Sequence, residues 1–501
     1  MRANRIAVAL LLATLGCPSR DTDPAANAPT PAPASPTTDA RRMPLAIVGH
    51  ATRPPIDLSR AVAERLLEGQ IGDWRDLGQP AARIRLIEGP SADLELDGGV
   101  AGGPLVTRTA GDPEAIRIVE RDFDAIAIVA ADAVAPTVRA FSVDALSPVR
   151  HPAKYPLKIL GRPDGTVTTV FAAGDLMLGR QVGREMREAG DHTLPFRYVG
   201  PRMAAADLTF ANFEGTMSCG DGRPRNTPPF AAIPEAIEGL RFAGVDVLSL
   251  GNGHIGDYGP RGVVETVRRL RDAGFGTTGA GANITRALEP AIVERNGTRF
   301  GFLAFNGSAE IPAATSTRAG PYAIPMAPYF RLDTSALDGM LAAVRDLAEQ
   351  VDVVIVYPHW GDEHTFSFNA DQQRVGRALI DAGTDLVIGT HPHWVQGIQR
   401  YRDGIIVHSL GNFVFDMHWF DEPRRGFAAE FTFWGDRLMQ MELLPVFIDD
   451  RYRPRFLSWD DGLPILERVW GASGQPWRLD RAKPRGAYVV PRMPIPNDSP
   501  C

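Results

Sequence analysis

The chain has only three cysteines in 501 residues, which excludes a disulfide-dense scaffold as the source of its stability. It has no basic block and no RNA-binding signature, and its net charge is −7, so nucleic acid is not an expected partner. Its N-terminal apolar run, Ile6 to Leu15, is too short to span a bilayer. No internal repeat is present. What is there is ordinary globular composition, 44% hydrophobic and 23% charged, in a length that suits about two to three domains.

Arg2 and Arg5 precede that apolar run, as in a secretion signal. Cys17 follows Leu15 and Gly16, where a bacterial lipobox places its lipidated cysteine, although Thr14 replaces the usual Leu. Residues 1–17 are therefore expected to be a signal peptide with a lipobox, and Cys17 the lipidation site. A plain signal peptide cut nearby is the alternative. The expected location is the exported bacterial cell envelope, with contact to the membrane through the lipid anchor. Residues 18–42 are rich in Pro, Ala and Thr and bury too little apolar surface to fold, so they read as a tether. Cys219 and Cys501 either pair in an oxidising compartment or stay free.

Folded sequence divides into a small α/β lobe over residues 43–158, a larger α/β domain over 159–475, and a Pro/Arg-rich tail over 476–501. In the lobe, SRAVAERLLEG has helical spacing, with Ser59 as N-cap and Gly69 past the end. In the larger domain strands and helices alternate to about residue 415, which predicts a largely parallel central sheet. Pro260 at the first helical position opens one helix and Gly274 closes it. After Gly426 the pattern predicts a hairpin turning at Gly435-Asp436 and then a further strand.

Chemistry-bearing residues collect at the strand exits, where α/β folds bind ligands. Asp175 ends TVTTVFAAGD, and Asn212 and Glu214 end DLTFANFEG. Asn252, His254 and Asp257 lie on the loop GNGHIGDYG, His359, Glu363 and His364 in YPHWGDEH, and His391 and His393 in GTHPH. Carboxylates and imidazoles from separate exits suit a divalent cation, one or two ions, with Mn, Zn or Fe as candidates. Asp175, Glu214, Asn252, His359, His391 and His393 are the candidate ligands. An extended His-x-His would turn both rings to one face. His254 is the candidate proton donor and Asp257 its orienting partner, with helix capping as the alternative role for Asp257. Asn212, Arg180, Arg261 and Asn412 are candidate substrate contacts. His364 and His408 are left open. His50, His151, His192 and His418 read as structural or surface residues.

The motifs GDLMLGR, ADLTFANFEG, LSLGNGHIGDYG, VVIVYPHWGDEH, LVIGTHPHWVQGI and HSLGNFVFD stand in the order of the CapA family, which the chain resembles over more than half its length. That is the poly-γ-glutamate capsule biosynthesis family, related to the calcineurin-like metallophosphatases. The resemblance implies a layered αββα metallophosphatase-like domain and a rim that gathers the residues above. It also implies work on an anionic polymer or a phosphoester, in company with capsule-synthesis membrane proteins. The stretch LAIVGHATRPPIDLSRAVAERLLEGQIGDWRDLG, with VRAFSVDALSPVRHPAKYPL, resembles one lobe of phosphate-binding-protein-like solute receptors. Two departures stand out. Met177 replaces the His of the metallophosphatase Asp-x-His, and Gly253 replaces the second Asn of the family's Asn-Asn-His. Three functions follow: a metal-dependent hydrolase of a phosphoester or polymer amide, an assembly protein that holds the polymer without cutting it, and a solute-binding lipoprotein.

Overall fold

The structure, a computed structural model, describes residues 42–93, 106–161, 165–220, 222 and 229–478. Cys17, the tether, Cys501 and most of the Pro/Arg-rich tail lie outside the described residues. Cys219 is disulfide-bonded, and its partner lies outside them as well. No helix among the described residues is long and apolar enough to cross a membrane.

The lobe is built on one sheet. Its strands run in the order Val106–Arg108, Arg85–Glu88, Ala125–Ala130, Arg42–His50, Val138–Ala140, and Lys158–Leu160 pairs with Arg42–Pro44. The expected boundary after residue 158 therefore falls inside a strand of this sheet. Ser59 caps the helix Arg60–Leu67 through the Val62 amide, as its sequence position demands. Trp434 and Met439, from the hairpin of the larger domain, enter the core of the lobe.

The alternating strands and helices form two stacked sheets rather than one, as the αββα resemblance implied. The first runs Gly276–Thr278, Val247–Ser249, Leu208–Phe213, Val167–Leu176, Arg425–Trp434, Arg437–Ile448, Pro454–Phe456. The second runs Ala291–Arg295, Thr298–Asn306, Val353–His359, Leu386–Ile388, Gly404–Val407, Ile398–Tyr401. Every strand in the middle is apolar on both faces, and alternation sorts those faces into different layers. Val170, Ala172 and Phe210 of the first sheet meet Phe302, Ile355, Tyr357 and Ile388 of the second in the central core. Their neighbours Phe171, Ala173 and Ala211 face outward onto Val182, Met186, Leu240 and Val263. On the far side Leu303, Val354 and Val356 meet Met340, Val344, Val375 and Leu379. The outer layers are the helices Arg180–Ala189, Ala236–Phe242 and Gly259–Asp272 on one side, and Thr334–Ala348 and Ala370–Ala382 on the other. The result is αββα. Strand periodicity reports burial but not which sheet a strand joins, so the split was not visible in the pattern.

Two local features differ from the expected elements. Pro260 takes the second rather than the first helical position, after Gly259 at φ +74°. The hairpin forms as expected and the further strand, Pro454–Phe456, follows it; the helix that comes next, Trp459–Ala472, was not predicted, because its internal Pro464 reads in sequence as a breaker. That helix seals the central core with Ile465, Leu466, Val469 and Trp470.

Candidate metal centre

Parallel strands put their carboxyl ends on one edge, so the exits of both sheets form a common rim. Asp175 lies between two neighbours in register: Asn212 on one side and Asn412 on the other. Gly174 explains how the second neighbour comes so near, because a Cβ there would stand 2.0 Å from the Gly411 carbonyl oxygen. Below the rim the Tyr357 hydroxyl donates to the Ala173 carbonyl and ties the two sheets together.

Asp175, Glu214 and His359 are buried and offer ligand atoms within 4.8 Å of one another. Two of them come from the first sheet and one from the second. Asn212 sits among them, its Nδ2 donating to Asp175 Oδ1 at 2.7 Å and lying 3.4 Å from His359 Nδ1. Glu214 Oε2 is buried without a hydrogen-bond partner. Burial, and then the Asp175 charge, push the Glu214 carboxyl well above its ordinary range. Burial raises Asp175 to about 6, against hydrogen bonds from Asn212 and Thr390 that favour its charge. The pair's proton therefore rests on Glu214. An orphaned buried oxygen beside a second buried carboxylate is what a divalent cation would satisfy, so the residues fit a metal.

His391 and His393 lie beside the cluster, but not as an extended His-x-His. Both adopt left-handed backbone, at φ +95° and +56°. For non-glycine residues this is a costly conformation that tends to concentrate at functional sites. The turn brings His391 Nδ1 to 3.1 Å from His359 Nε2 and places His393 Nδ1 3.7 Å from Asp175 Oδ2. Burial, and then neighbouring imidazoles, hold the pKa of His391 down at about 3 and those of His359 and His393 well below 6.5. All three are neutral at physiological pH, as ligation requires.

Asn412 and Arg180, expected to touch substrate, are buried and act from behind. Asn412 Oδ1 lies 2.9 Å from His393 Nδ1 and its Nδ2 donates to the Pro423 carbonyl, which fixes the ring and leaves Nε2 as the ligand atom. Arg180 pairs with Asp416 at 2.7 Å, and its guanidinium stands 4.8 Å from the Phe230 ring centroid. Phe230 in turn stacks on His254 at 3.5 Å. Asn252, expected as a ligand, spends its whole amide inside the loop. Its Oδ1 accepts from the His254 and Ile255 amides, and its Nδ2 donates to Asn212 Oδ1 and the Phe213 carbonyl. Arg261 stands on an exposed helix face and pairs with Glu265 at 2.8 Å.

His254 and Asp257 form the orienting pair that was expected, with Nδ1 to Oδ2 at 2.9 Å. Asp257 does not cap the following helix, whose N-cap is Tyr258 without a side-chain bond. Burial works against a charged His254, but the Asp257 charge and hydrogen bond outweigh it and raise its pKa. His408 lies elsewhere in function: it is fully buried, stacked on Phe368 and bonded to Gln399. His364 is held by its backbone amide to the Pro392 carbonyl, with its ring 6.0 Å from that of His393.

Sequence reasoning missed Glu310 and Tyr329. Glu310 Oε2 lies 2.4 Å from where a Cβ on residue 253 would stand, so its carboxylate fills the space that the glycine leaves. Tyr329 hydroxyl lies 3.2 Å from His391 Nε2. The signal for Glu310 was the exit of the Thr298–Asn306 strand, which leads into NGSAE. Because the two occupants compete for one space, Gly253→Asn alone exchanges a carboxylate for an amide. The expected result is little change in Mn²⁺ affinity by calorimetry for Gly253→Asn, and a clear gain for the same change in a Glu310→Ala background. The coupling between the two should be on the order of 1 kcal/mol. Additive effects would mean that Glu310 does not hold that space in solution.

Residues 169–417 match the family described as bacterial capsule synthesis protein PGA_cap. The chain carries a CapA-family domain. It is 31% identical to the capsule biosynthesis protein CapA of Bacillus anthracis over 55% of this chain and 64% of that protein. It is 28% identical to the PGA biosynthesis protein CapA of Bacillus subtilis over 52% of this chain and 67% of that protein. The CapA domain thus spans about two thirds of the length of these relatives. A solved phosphate transport receptor from Vibrio cholerae is similar over 24% of this chain and 55% of that one, at 16% identity and a TM-score of 0.22. That likeness is too slight to bear on what the lobe binds.

Proposed function

We propose that this chain is an exported accessory protein of poly-glutamate capsule assembly, and that its rim is a divalent-metal site which hydrolyses amide bonds of the polymer. The observation that carries the proposal is the meeting of the Asp175–Glu214–His359 cluster with the His254–Asp257 pair on one rim. The relatives' names support a capsule and, for the Bacillus subtilis protein, PGA as its polymer, and the leader with Cys17 supports export and lipid anchoring.

A bound metal would supply Lewis-acid polarisation and a more acidic water. Asp175, Glu214, His359, His391 and His393 would hold it. Asn212 and Asn412 set the carboxylate and the imidazole in place. His254, kept protonated by Asp257, gives its proton to the departing amide nitrogen. The water oxygen bonds to the carbonyl carbon, the C–N bond breaks as the nitrogen takes the His254 proton, and the proton released by water returns to His254, leaving one chain with a new carboxyl group and the other with a new amine. A second reading, in which the rim holds polymer without cutting it, is favoured by the missing side chain at Gly253.

The test is direct. Purified protein is loaded with Mn²⁺ and incubated with γ-linked poly-glutamate, and chain length is followed with and without chelator. Stoichiometric metal and chelator-sensitive shortening are expected, and both should be lost in His391→Ala/His393→Ala. In cells the parent should fractionate with membranes and Cys17→Ser should not. Absence of metal under replete conditions sinks the hydrolase; metal without shortening leaves the holding role.

A further inference from the structure

The rim itself is acidic. Besides Asp175 and Glu214 it carries Glu310 and Glu363, both of which act electrostatically on Glu214. An acidic rim repels a polyanion, so a polycarboxylate substrate needs a basic anchor elsewhere. A groove of about 780 Å³ lies where the lobe meets the hairpin and the Ile398–Tyr401 strand. Its lining includes Arg117, Arg121, Arg400 and Arg437, with Glu120 and Asp132.

Four arginines from three separate elements meet in this one groove, in a chain whose net charge is −7. Arg117 lies on the helix Asp112–Val119, and Arg121 follows one turn later on the same side. Like charges at that spacing repel. Neither has a charged or hydrogen-bonding partner among the described residues, and both are exposed. The helix C-terminus favours one positive charge nearby, but it does not account for the convergence of four. The acids that line the groove are largely occupied. Glu120 accepts from Thr137 and from Arg400 at 3.2 Å, and Asp112 accepts from the Ala130 and Ser91 amides. Arg437 reaches the Val134 carbonyl at 3.4 Å, which holds its guanidinium at the groove wall. Planar, permanently charged guanidinium groups suit carboxylates bidentately.

We infer that this groove binds a segment of a polycarboxylate chain, anchoring the polymer at the junction of the lobe and the CapA domain. The inference rests on the polymer named in the proposed function, but not on its being cut. The contacts are exposed, so they should be individually weak and salt-sensitive. A fluorescent γ-linked glutamate oligomer, titrated against the full chain, is the probe. Arg117→Glu/Arg121→Glu should weaken binding on the order of tenfold and flatten its salt dependence. Arg117→Ala/Arg121→Ala should do so by less, and metal content should not change in either. Polyglutamine of equal length should not bind. An arginine variant that binds like the parent, or a parent that does not bind the oligomer, overturns the inference. Binding without shortening supports the groove and removes the hydrolase; shortening that ignores the arginines does the reverse.

Discussion

Glu214→Gln is expected to abolish tight metal binding and, in the metal-free protein, to raise stability at neutral pH. The two effects have opposite signs because they have one cause. Glu214 is 2% exposed, has an orphaned oxygen, and lies within ligand reach of the Asp175 carboxylate. With a cation present this is a strong donor pair. Without one the two carboxyls cannot both ionise, and Glu214 must keep a proton that the unfolded chain releases, which costs more than an amide of the same shape. Metal affinity should fall by at least about 100-fold, since loss of mere outer supports already costs about 10- to 100-fold. The metal-free variant should gain roughly 1–3 kcal/mol near pH 7.5.

The pH dependence distinguishes this from a general packing effect. Asp175, Glu214 and Glu363 have folded-state pKa values raised above their unfolded ones, to about 6 for Asp175 and about 7 for Glu363. Their stabilisation is present below about pH 4 and is lost as pH rises through those values. His359, His391 and His393 have lowered values, so their contribution is present above pH 6.5 and lost as pH falls. Above pH 6.5 the contribution of these three histidines is flat, and the remaining loss belongs to the carboxylates and to His254, whose raised pKa makes it lose stabilisation in the same direction in parent and variant alike. Metal-free parent protein should therefore melt at lower temperature as pH rises from about 6.5 to 8, and Glu214→Gln should show a shallower slope. Added metal should reverse the parent's slope, because ligation needs both groups deprotonated. Parallel slopes in parent and variant, without metal, would show that Glu214 is not the strained group.

How much of this was legible depends on what each residue does. The gathering of Asp175, Glu214, His359, His391 and His393 in one place was legible because an apolar strand ending on a ligand-type residue carries its own meaning. Their supports were not. Asn252, Asn412 and Arg180 looked like ligands or substrate contacts because they sit in the same motifs, yet each is buried and bonded inward. Sequence proximity to a site cannot tell a side chain that faces the ligand from one that braces its neighbour. The His391-Pro392-His393 segment shows the same limit at the backbone. The sequence suggested an extended His-x-His, whereas both histidines sit at positive φ. Glu310 was missed for a third reason: its role exists only because residue 253 lacks a side chain, and the two are far apart in sequence.

His254→Ala should cut turnover of poly-glutamate by about 10²- to 10⁴-fold while leaving bound metal at the parent level. His254 is placed as a proton donor: it stacks on Phe230 at 3.5 Å, its Nδ1 is held by Asp257, and its ring is partly exposed at the rim. In the proposed hydrolysis it protonates the leaving nitrogen, a step that binding alone does not need, so the loss should fall on kcat rather than KM. The raised pKa makes the imidazolium the working form up to and somewhat above pH 6.5. Activity should then fall on the alkaline side as that proton is lost. Asp257→Asn removes the charge that outweighs burial, so the His254 pKa should drop and the alkaline limb should move to lower pH. That shift is the decisive readout, because Asp257 Oδ2 also accepts from the Phe230 amide and a merely structural loss would lower the whole profile without moving it. A His254→Ala protein that keeps more than about a tenth of parental turnover would remove His254 as the proton donor. The acid would then have to be sought in His364 or Tyr329, the other proton-bearing groups beside the ligand histidines.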